Sequence, residues 1–471
     1  MKYLKWSVIL LLAMLAFANC GKDDEAVEDP GPIGPPAGTT PIEASTQRSG
    51  DAAAGREYLF YGDYVDAGLP YQLFLDVNGS DNSNLLNRTG DNEAINHEYT
   101  AVDAFNGVRV VSANCFQCHA QKLNGELVMG LGNTFADFTE DQSENLGLIE
   151  LGLAFTYGAD SPEVKAFEPV GRALEVLGPK IITQQKGSNS AAKLAFVLGA
   201  HRDINDLTWK EIPNYEIPDE TIASDVPAWW LLKKKNAMFY SGGGRGDFAR
   251  IMMASSVLTL QDSTKAREVD ESFVDVLAFI NSLEAPTYPE NIDMELADLG
   301  EEVFNNNCSG CHGTYGTEET YPNLLVALDE IQTDPLLADG SYADQVFTDW
   351  YNNSWFSRFP AAAQFLPESG YVAPPLDGIW ATAPYLHNGS VPTLADLLES
   401  SKRPTYWERD FGNSSSYDYN KVGWEYEVRN NASAENTFDT TLPAMGNVGH
   451  YYGDGLTVEE REQLIEYLKT L

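Results

Sequence analysis

The sequence predicts a mainly α fold of two fused modules with long loop insertions. Three observations predict it. The run Cys115-Phe116-Gln117-Cys118-His119 recurs in pattern as Cys308-Ser309-Gly310-Cys311-His312. A stretch with helical apolar spacing, Phe-Val-Asp-Val-Leu-Ala-Phe-Ile-Asn-Ser-Leu at 273–283, recurs as Arg-Glu-Gln-Leu-Ile-Glu-Tyr-Leu-Lys-Thr-Leu at 461–471. Each copy lies at nearly the same distance from its own motif, from His119 to Leu283 and from His312 to Leu471. A fixed offset between two such features reads as an internal duplication.

Cys-x-x-Cys-His is the attachment pattern of c-type haem. Two thiols three positions apart each form a thioether to one haem vinyl group, and the adjacent imidazole becomes the proximal iron ligand. Four of the five cysteines sit in the two motifs. A zinc ribbon would need both Cys-x-x-Cys pairs close enough to share one metal, and here they lie far apart with a histidine after each. The reading is therefore two covalently bound c-type haems. The iron ligands are His119 and His312, carried by two fused cytochrome c-like haem domains.

The first element is a secretory signal at 1–20. Lys2 and Lys5 precede an apolar run from Val8 to Phe17, too short for a spanning helix with flanks. The end of this run, Leu-Ala-Phe-Ala-Asn-Cys, makes Cys20 a bacterial lipoprotein lipidation site. The expected location is the bacterial cell envelope, in the periplasm or at the outer membrane. The acidic run at 21–25 leaves display at the cell surface as an alternative. Membrane contact is through the lipid anchor alone. Residues 21–50 are acidic and then rich in Pro, Gly, Ser and Thr, which reads as a flexible tether.

The first haem domain spans 51–285 and the second 286–471. Ala285-Pro286-Thr287-Tyr288-Pro289 is the seam, where two prolines stop the helix. In the second domain, Met294 to Phe304 supplies the helix before the motif, with Leu296, Leu299, Val303 and Phe304 as its apolar stripe. The closing helix begins at a capping box, Thr457 and Glu460, and buries Leu464, Ile465, Leu468 and Leu471. The insertion after each motif contains Gly, Asn and aromatic stretches that read as loops and short helices.

Six histidines are present: His97, His119, His201, His312, His387 and His450. For the second haem, Met445 and His450 precede the closing helix and compete as sixth ligand, with His450 favoured. For the first, His97, His201, Met252 and Met253 are candidates beside an open site. An open position implies binding of peroxide or dioxygen, because the distal pocket decides activation against electron transfer. Asp225-Val226-Pro227-Ala228-Trp229-Trp230 places aromatic side chains either in a core or between the haems. Phe239 or Tyr240 would line the first pocket, and Arg245 would pair with a haem propionate.

The stretch 373–394, Ala-Pro-Pro-Leu-Asp-Gly-Ile-Trp-Ala-Thr-Ala-Pro-Tyr-Leu-His-Asn-Gly-Ser-Val-Pro-Thr-Leu, resembles the diheme cytochrome c peroxidase superfamily. With Gly446-Asn447-x-Gly449-His450-x-Tyr452-Gly453, it is closest to the rubber-oxygenase branch. The resemblance implies His450 as the second haem's distal ligand and His387 near that haem. It also implies a reactive first haem and a possible bound calcium. The chain departs from the peroxidase pattern in having no histidine between His119 and His201.

The chain of 471 residues carries 30 Lys and Arg against 70 Asp and Glu, a net charge of −40. That balance excludes a nucleic-acid partner. It fits a solvated surface or the steering of a basic partner. The expected function is a diheme oxidoreductase that reacts with peroxide or dioxygen at the first haem. Trp229, Trp230 and Phe239 are its candidate catalytic residues. The second haem transfers electrons, supplied by a redox partner protein or a quinone-linked donor. The alternatives are an electron-transfer cytochrome without a substrate of its own, and a redox sensor.

Overall fold

The computed structural model describes residues 36–340, 345–432 and 436–471. The signal sequence, Cys20 and the tether up to residue 35 lie outside the described residues. The described residues belong to one compact unit. Helix accounts for 38% and strand for 14%, so the fold is mixed rather than mainly α. Part of the difference arises ahead of the first motif, where two short runs rich in β-branched residues, Tyr99–Asp103 and Arg109–Ala113, pair as an antiparallel hairpin.

Two helix pairs organise the chain. Helix α1 (Ala52–Tyr61) starts at Asp51, whose carboxylate accepts from the amides of Ala53 and Ala54. It packs on α2 (Ser263–Asn281). Helix α3 (Met294–Asn307) packs on α4 (Val458–Leu468), which begins at the expected Thr457–Glu460 capping box. Each pair touches at a glycine. A Cβ on Gly55 would fall 1.9 Å from the carbonyl oxygen of Asp275, and one on Gly300 would fall 2.0 Å from that of Gln463. Glycine is what lets each pair of backbones approach so closely. The buried face of α3 is accordingly Ala297, Gly300, Val303 and Phe304, while Leu299 of the expected stripe is exposed.

Each pair carries its own core. Leu59, Phe60, Phe116, Trp229, Phe273 and Phe279 belong to the first. Trp230, Phe304, Trp380, Tyr385, Trp424, Leu464 and Leu468 belong to the second. The consecutive residues Trp229 and Trp230 therefore point into different cores.

Residues 36–50, expected in the tether, are docked on the folded unit instead. Strand β1 (Thr39–Pro41) pairs antiparallel with β2 (Leu324–Ala327), which also pairs with β3 (Gly370–Val372). Ile42 is buried against Ala237, Leu325 and Val372. Arg48 forks onto two buried carboxylates, with Nε 2.7 Å from Asp247 and Nη2 2.7 Å from Asp270. Composition suggests a tether here, but one apolar residue and one arginine find buried partners.

Candidate functional site

The second motif opens on a cavity of about 330 Å³ lined by Cys308, Cys311, His312 and His450. Cys308 caps the C-terminus of α3, its amide bonded to the Phe304 carbonyl. One further helical turn, Ser309–His312, brings Cys311 and His312 round to the cavity. Gly313 then leaves the turn at φ +82°, where a Cβ would fall 1.9 Å from the carbonyl oxygen of Thr320. His312 Nδ1 lies 2.8 Å from the Pro374 carbonyl oxygen. That contact makes Nδ1 the donor, so Nε2 carries the lone pair a metal needs. Burial lowers the His312 pKa, against the opposing effect of this bond.

His450 stands on the far side, on a loop held by backbone contacts. Its amide donates to the Ile331 carbonyl at 2.8 Å, and its own φ is +50°. Gly449, at φ +80°, lies against the backbone of Gln332 and Thr333, where a Cβ would come within 2.3 Å. Arg403 clamps the loop: Nη1 donates to the carbonyls of Asn447 and Gly449, and Nη2 to that of His450. Burial pushes the His450 pKa down to about 3, with His312 and Arg403 adding to the effect, so the imidazole is neutral.

The ring centroids of His312 and His450 lie 6.3 Å apart. Two metal–imidazole bonds of about 2 Å, plus about 1.1 Å from each nitrogen to its ring centre, span about 6.3 Å. The pair is thus spaced for one metal between two imidazoles, beside two thiols. These residues fit a covalent haem: Cys308 and Cys311 would hold it, with His312 and His450 on its two faces. Met445 has no part in this, being buried with Ala223, Trp407 and Phe438.

His387 lines the same cavity, stacked on Tyr371 at 4.1 Å, with Nε2 lacking a partner. Burial pushes its pKa down to about 3. The residues after it build the His450 loop. Asn388 Nδ2 donates to the carbonyls of Ala444 and Gly446, and Ser390 Oγ donates to that of Gly446. The His-Asn-Gly-Ser stretch therefore ties down the chain that delivers His450.

The first motif is packed differently. His119 stacks on Trp229 with centroids 4.7 Å apart and planes 23° from parallel. Gly130 connects the two, its amide bonding the His119 carbonyl and its carbonyl accepting from the Trp229 amide. Asn189 Nδ2 lies 3.0 Å from Cys118 Sγ. Burial pushes the His119 pKa down to about 3, and its Nδ1 has no partner. His201 is engaged elsewhere, stacked on Trp209 with Nδ1 2.8 Å from the Lys210 carbonyl. Met253 is fully buried in the first core. His97 is tied to the motif's approach through its carbonyl, which accepts from Asn114 Nδ2.

In the segment 225–247, Trp230 takes the core reading, and Phe239, Tyr240 and Arg245 differ from expectation. Trp230 lies in the second core and donates from Nε1 to the Asp377 carbonyl. Phe239 lies outside the second motif's cavity, in a turn at φ +70°, 44% exposed. Tyr240 lines the second motif's cavity rather than the first and donates to Asp225 at 2.7 Å. Arg245 is bound to Glu368 and to the Gly242 carbonyl, which occupies the fork expected to hold a propionate. Sequence reasoning missed Arg403, Pro374 and Asp225 as site builders. Pro374 had a signal in lying within the specific 373–394 stretch, whereas Arg403 and Asp225 had none.

Among the described residues, no group of three or more His, Cys, Asp or Glu side chains is placed to hold a metal ion. No described helix is long and apolar enough to cross a membrane.

Residues 370–408 match the RoxA-like, cytochrome c-like family. This segment contains β3, His387 and the residues that anchor the His450 loop. A cytochrome c-like domain implies c-type haem. Two uncharacterized proteins of Sinorhizobium fredii are similar to the chain. One, y4iM, is 27% identical over 319 residues, 58% of this chain and 70% of its own length. The other, y4iJ, is 30% identical over 255 residues, 40% of this chain and 41% of its own.

Proposed function

We propose that the chain is an exported diheme c-type cytochrome oxidoreductase with a division of labour between its two motifs. Haem held at each motif would supply a redox-active iron. The motif at Cys115 and Cys118 serves reaction with peroxide or dioxygen. The motif at Cys308 and Cys311 serves electron transfer, fed by a redox partner protein or a quinone-linked donor.

One observation carries this reading: the two histidines of the motifs have different company. His312 faces His450 at 6.3 Å, so a haem held at the second motif would have an imidazole on each face. The ring beside His119 is Trp229, not a second histidine. Among the described residues no second histidine ring meets His119, which supports an open place for an oxidant at the first motif, whereas His450 would take that place at the second. The consecutive Trp229 and Trp230, one in each core, support electron passage between the sites. The signal and lipidation pattern at Cys20 supports export, since c-type haem is attached outside the bacterial cytoplasm.

One observation favours the alternative, an electron-transfer cytochrome without its own substrate. His97 is joined through Asn114 to the first motif's approach, and its buried Nδ1 has no partner. A rearranged His97 would close the first site. Optical and paramagnetic resonance spectra of the holoprotein separate the two readings. A high-spin component that changes with cyanide or peroxide is expected. Two low-spin, six-coordinate haems in every redox state would overturn the enzyme reading.

A further inference from the structure

Lys233, Lys234 and Lys235 are consecutive, yet their side chains have different fates. Lys233 Nζ pairs with Glu284 at 2.9 Å. Lys234 Nζ pairs with Glu319 and with Asp377. The short helical turn Trp229–Lys234 ends there, and Lys235 follows it with its amide bonded to the Leu232 carbonyl. Its side chain turns inward and lines the cavity of the second motif. No described carboxylate or carbonyl is bonded to its ammonium.

An ammonium in an apolar cavity without a counter-ion is costly. Burial is the sole influence on Lys235, pushing its pKa down to about 8, and no acid acts to raise it. The acids on the same cavity wall are engaged elsewhere. Asp377 pairs with Lys234. Asp225 accepts from Tyr240. Glu330 is hydrogen-bonded to Tyr452. The cavity therefore presents an ammonium to which no described carboxylate is bonded, facing whatever fills it. A haem bound through Cys308, Cys311 and His312 brings two carboxylates on flexible propionate arms. Arg245, the guanidinium expected from sequence to meet them, is already bound to Glu368.

We propose that Lys235 is the anion-binding residue of the second site, its ammonium pairing with a propionate carboxylate of the haem held at Cys308 and Cys311. This rests on the reading of the second motif as a haem site. The pair would let the ammonium stay charged inside the cavity. A fixed positive charge beside the haem also favours the reduced state of its iron.

The test uses the full-length holoprotein and its Lys235→Gln and Lys235→Arg variants. Haem content is measured first, by the pyridine haemochrome spectrum. A chain that carries no haem at the second motif, with Cys308→Ala leaving haem content unchanged, would sink the underlying reading and the proposal with it. With haem in place, spectroelectrochemistry follows the low-spin haem, and resonance Raman follows its propionate-bending band. Lys235→Gln is expected to lower the potential and shift the band, and Lys235→Arg to restore both. An unchanged potential and band in Lys235→Gln, with two haems still bound, overturns the assignment. Amine acetylation of wild-type holoprotein, mapped by mass spectrometry, serves if neither variant accumulates. Protection of Lys235 is expected, and free labelling there overturns the proposal.

Discussion

His312 and His450 face each other across the second cavity with ring centroids 6.3 Å apart, although 138 positions separate them in the chain. One comes off the end of α3 and the other off a loop clamped by Arg403. On the proposed diheme reading, His450→Ala is expected to convert the haem held at Cys308 and Cys311 from low to high spin while leaving it covalently bound. Absorption spectra with and without added imidazole check this. A low-spin spectrum unchanged by the substitution would rule out ligation by His450.

Arg403 holds the His450 loop through three carbonyls, so its loss acts on His450 indirectly. Each lost hydrogen bond to a charged group costs about 1.5–3 kcal/mol in isolation, and partial replacement by water reduces the total. On the same reading, Arg403→Ala is expected to leave haem attached but mix high-spin character into the haem held at Cys308 and Cys311. A wild-type spectrum together with a wild-type melting temperature would refute this positioning role.

Gly300 sits where α3 meets α4. Alanine is normally better than glycine in a helix by about 1 kcal/mol. Here the new Cβ would lie 2.0 Å from the Gln463 carbonyl oxygen, and backbone cannot give way as a side chain can. Overpacking costs roughly 1–3 kcal/mol, so the clash outweighs the propensity gain. Gly300→Ala is expected to destabilise, as is Gly55→Ala at the α1–α2 contact. Urea unfolding of each variant measures it, and a gain in stability would show that the helices separate freely.

Arg48 joins the N-terminal arm to Asp247 and Asp270, whose side chains are 5% and 4% exposed. Arg250 also pairs with Asp270 at 2.7 Å, so that carboxylate would keep a cation once Arg48 is removed. Breaking a buried pair costs about 3–5 kcal/mol, and the partly exposed Arg48 places this case at the low end. Arg48→Ala is expected to lower the melting temperature and open residues 36–50 to proteolysis. Protection of that segment equal to wild type would contradict the docked arm.

Asp225 is buried, and burial pushes its pKa up to about 7 despite the Tyr240 hydrogen bond and the nearby Arg409. A carboxyl with a higher pKa in the fold than in the unfolded chain stabilises the fold below its unfolded value. That contribution is lost as pH rises through about 7. One proton is worth up to roughly 1.4 kcal/mol per pH unit across the window from about 4 to about 7. Asp225→Asn mimics the neutral form and keeps an acceptor for Tyr240. The stability of the wild type relative to this variant is expected to fall as pH rises across the window. Parallel pH profiles would mean that Asp225 is ionised throughout.

By itself the sequence determined the local chemistry. Cys115, Cys118, Cys308 and Cys311 with their adjacent histidines are legible because the attachment pattern is contiguous, and the closing helix is legible from its period and its capping box. His450 was legible only through its place before that helix and through the motif it shares with 373–394. The tertiary structure decided what depends on residues distant in the chain. It placed Trp229 against His119 and Trp230 in the other core, gave Arg245 to Glu368 instead of a propionate, and turned Lys235 into the cavity while its two neighbours pair with acids. It also docked residues 36–50, whose composition reads as a tether, because Ile42 and Arg48 have partners more than 190 positions away. Periodicity and motif spacing report contacts within a few turns of chain, whereas burial and ion pairing are settled by which surfaces meet after folding.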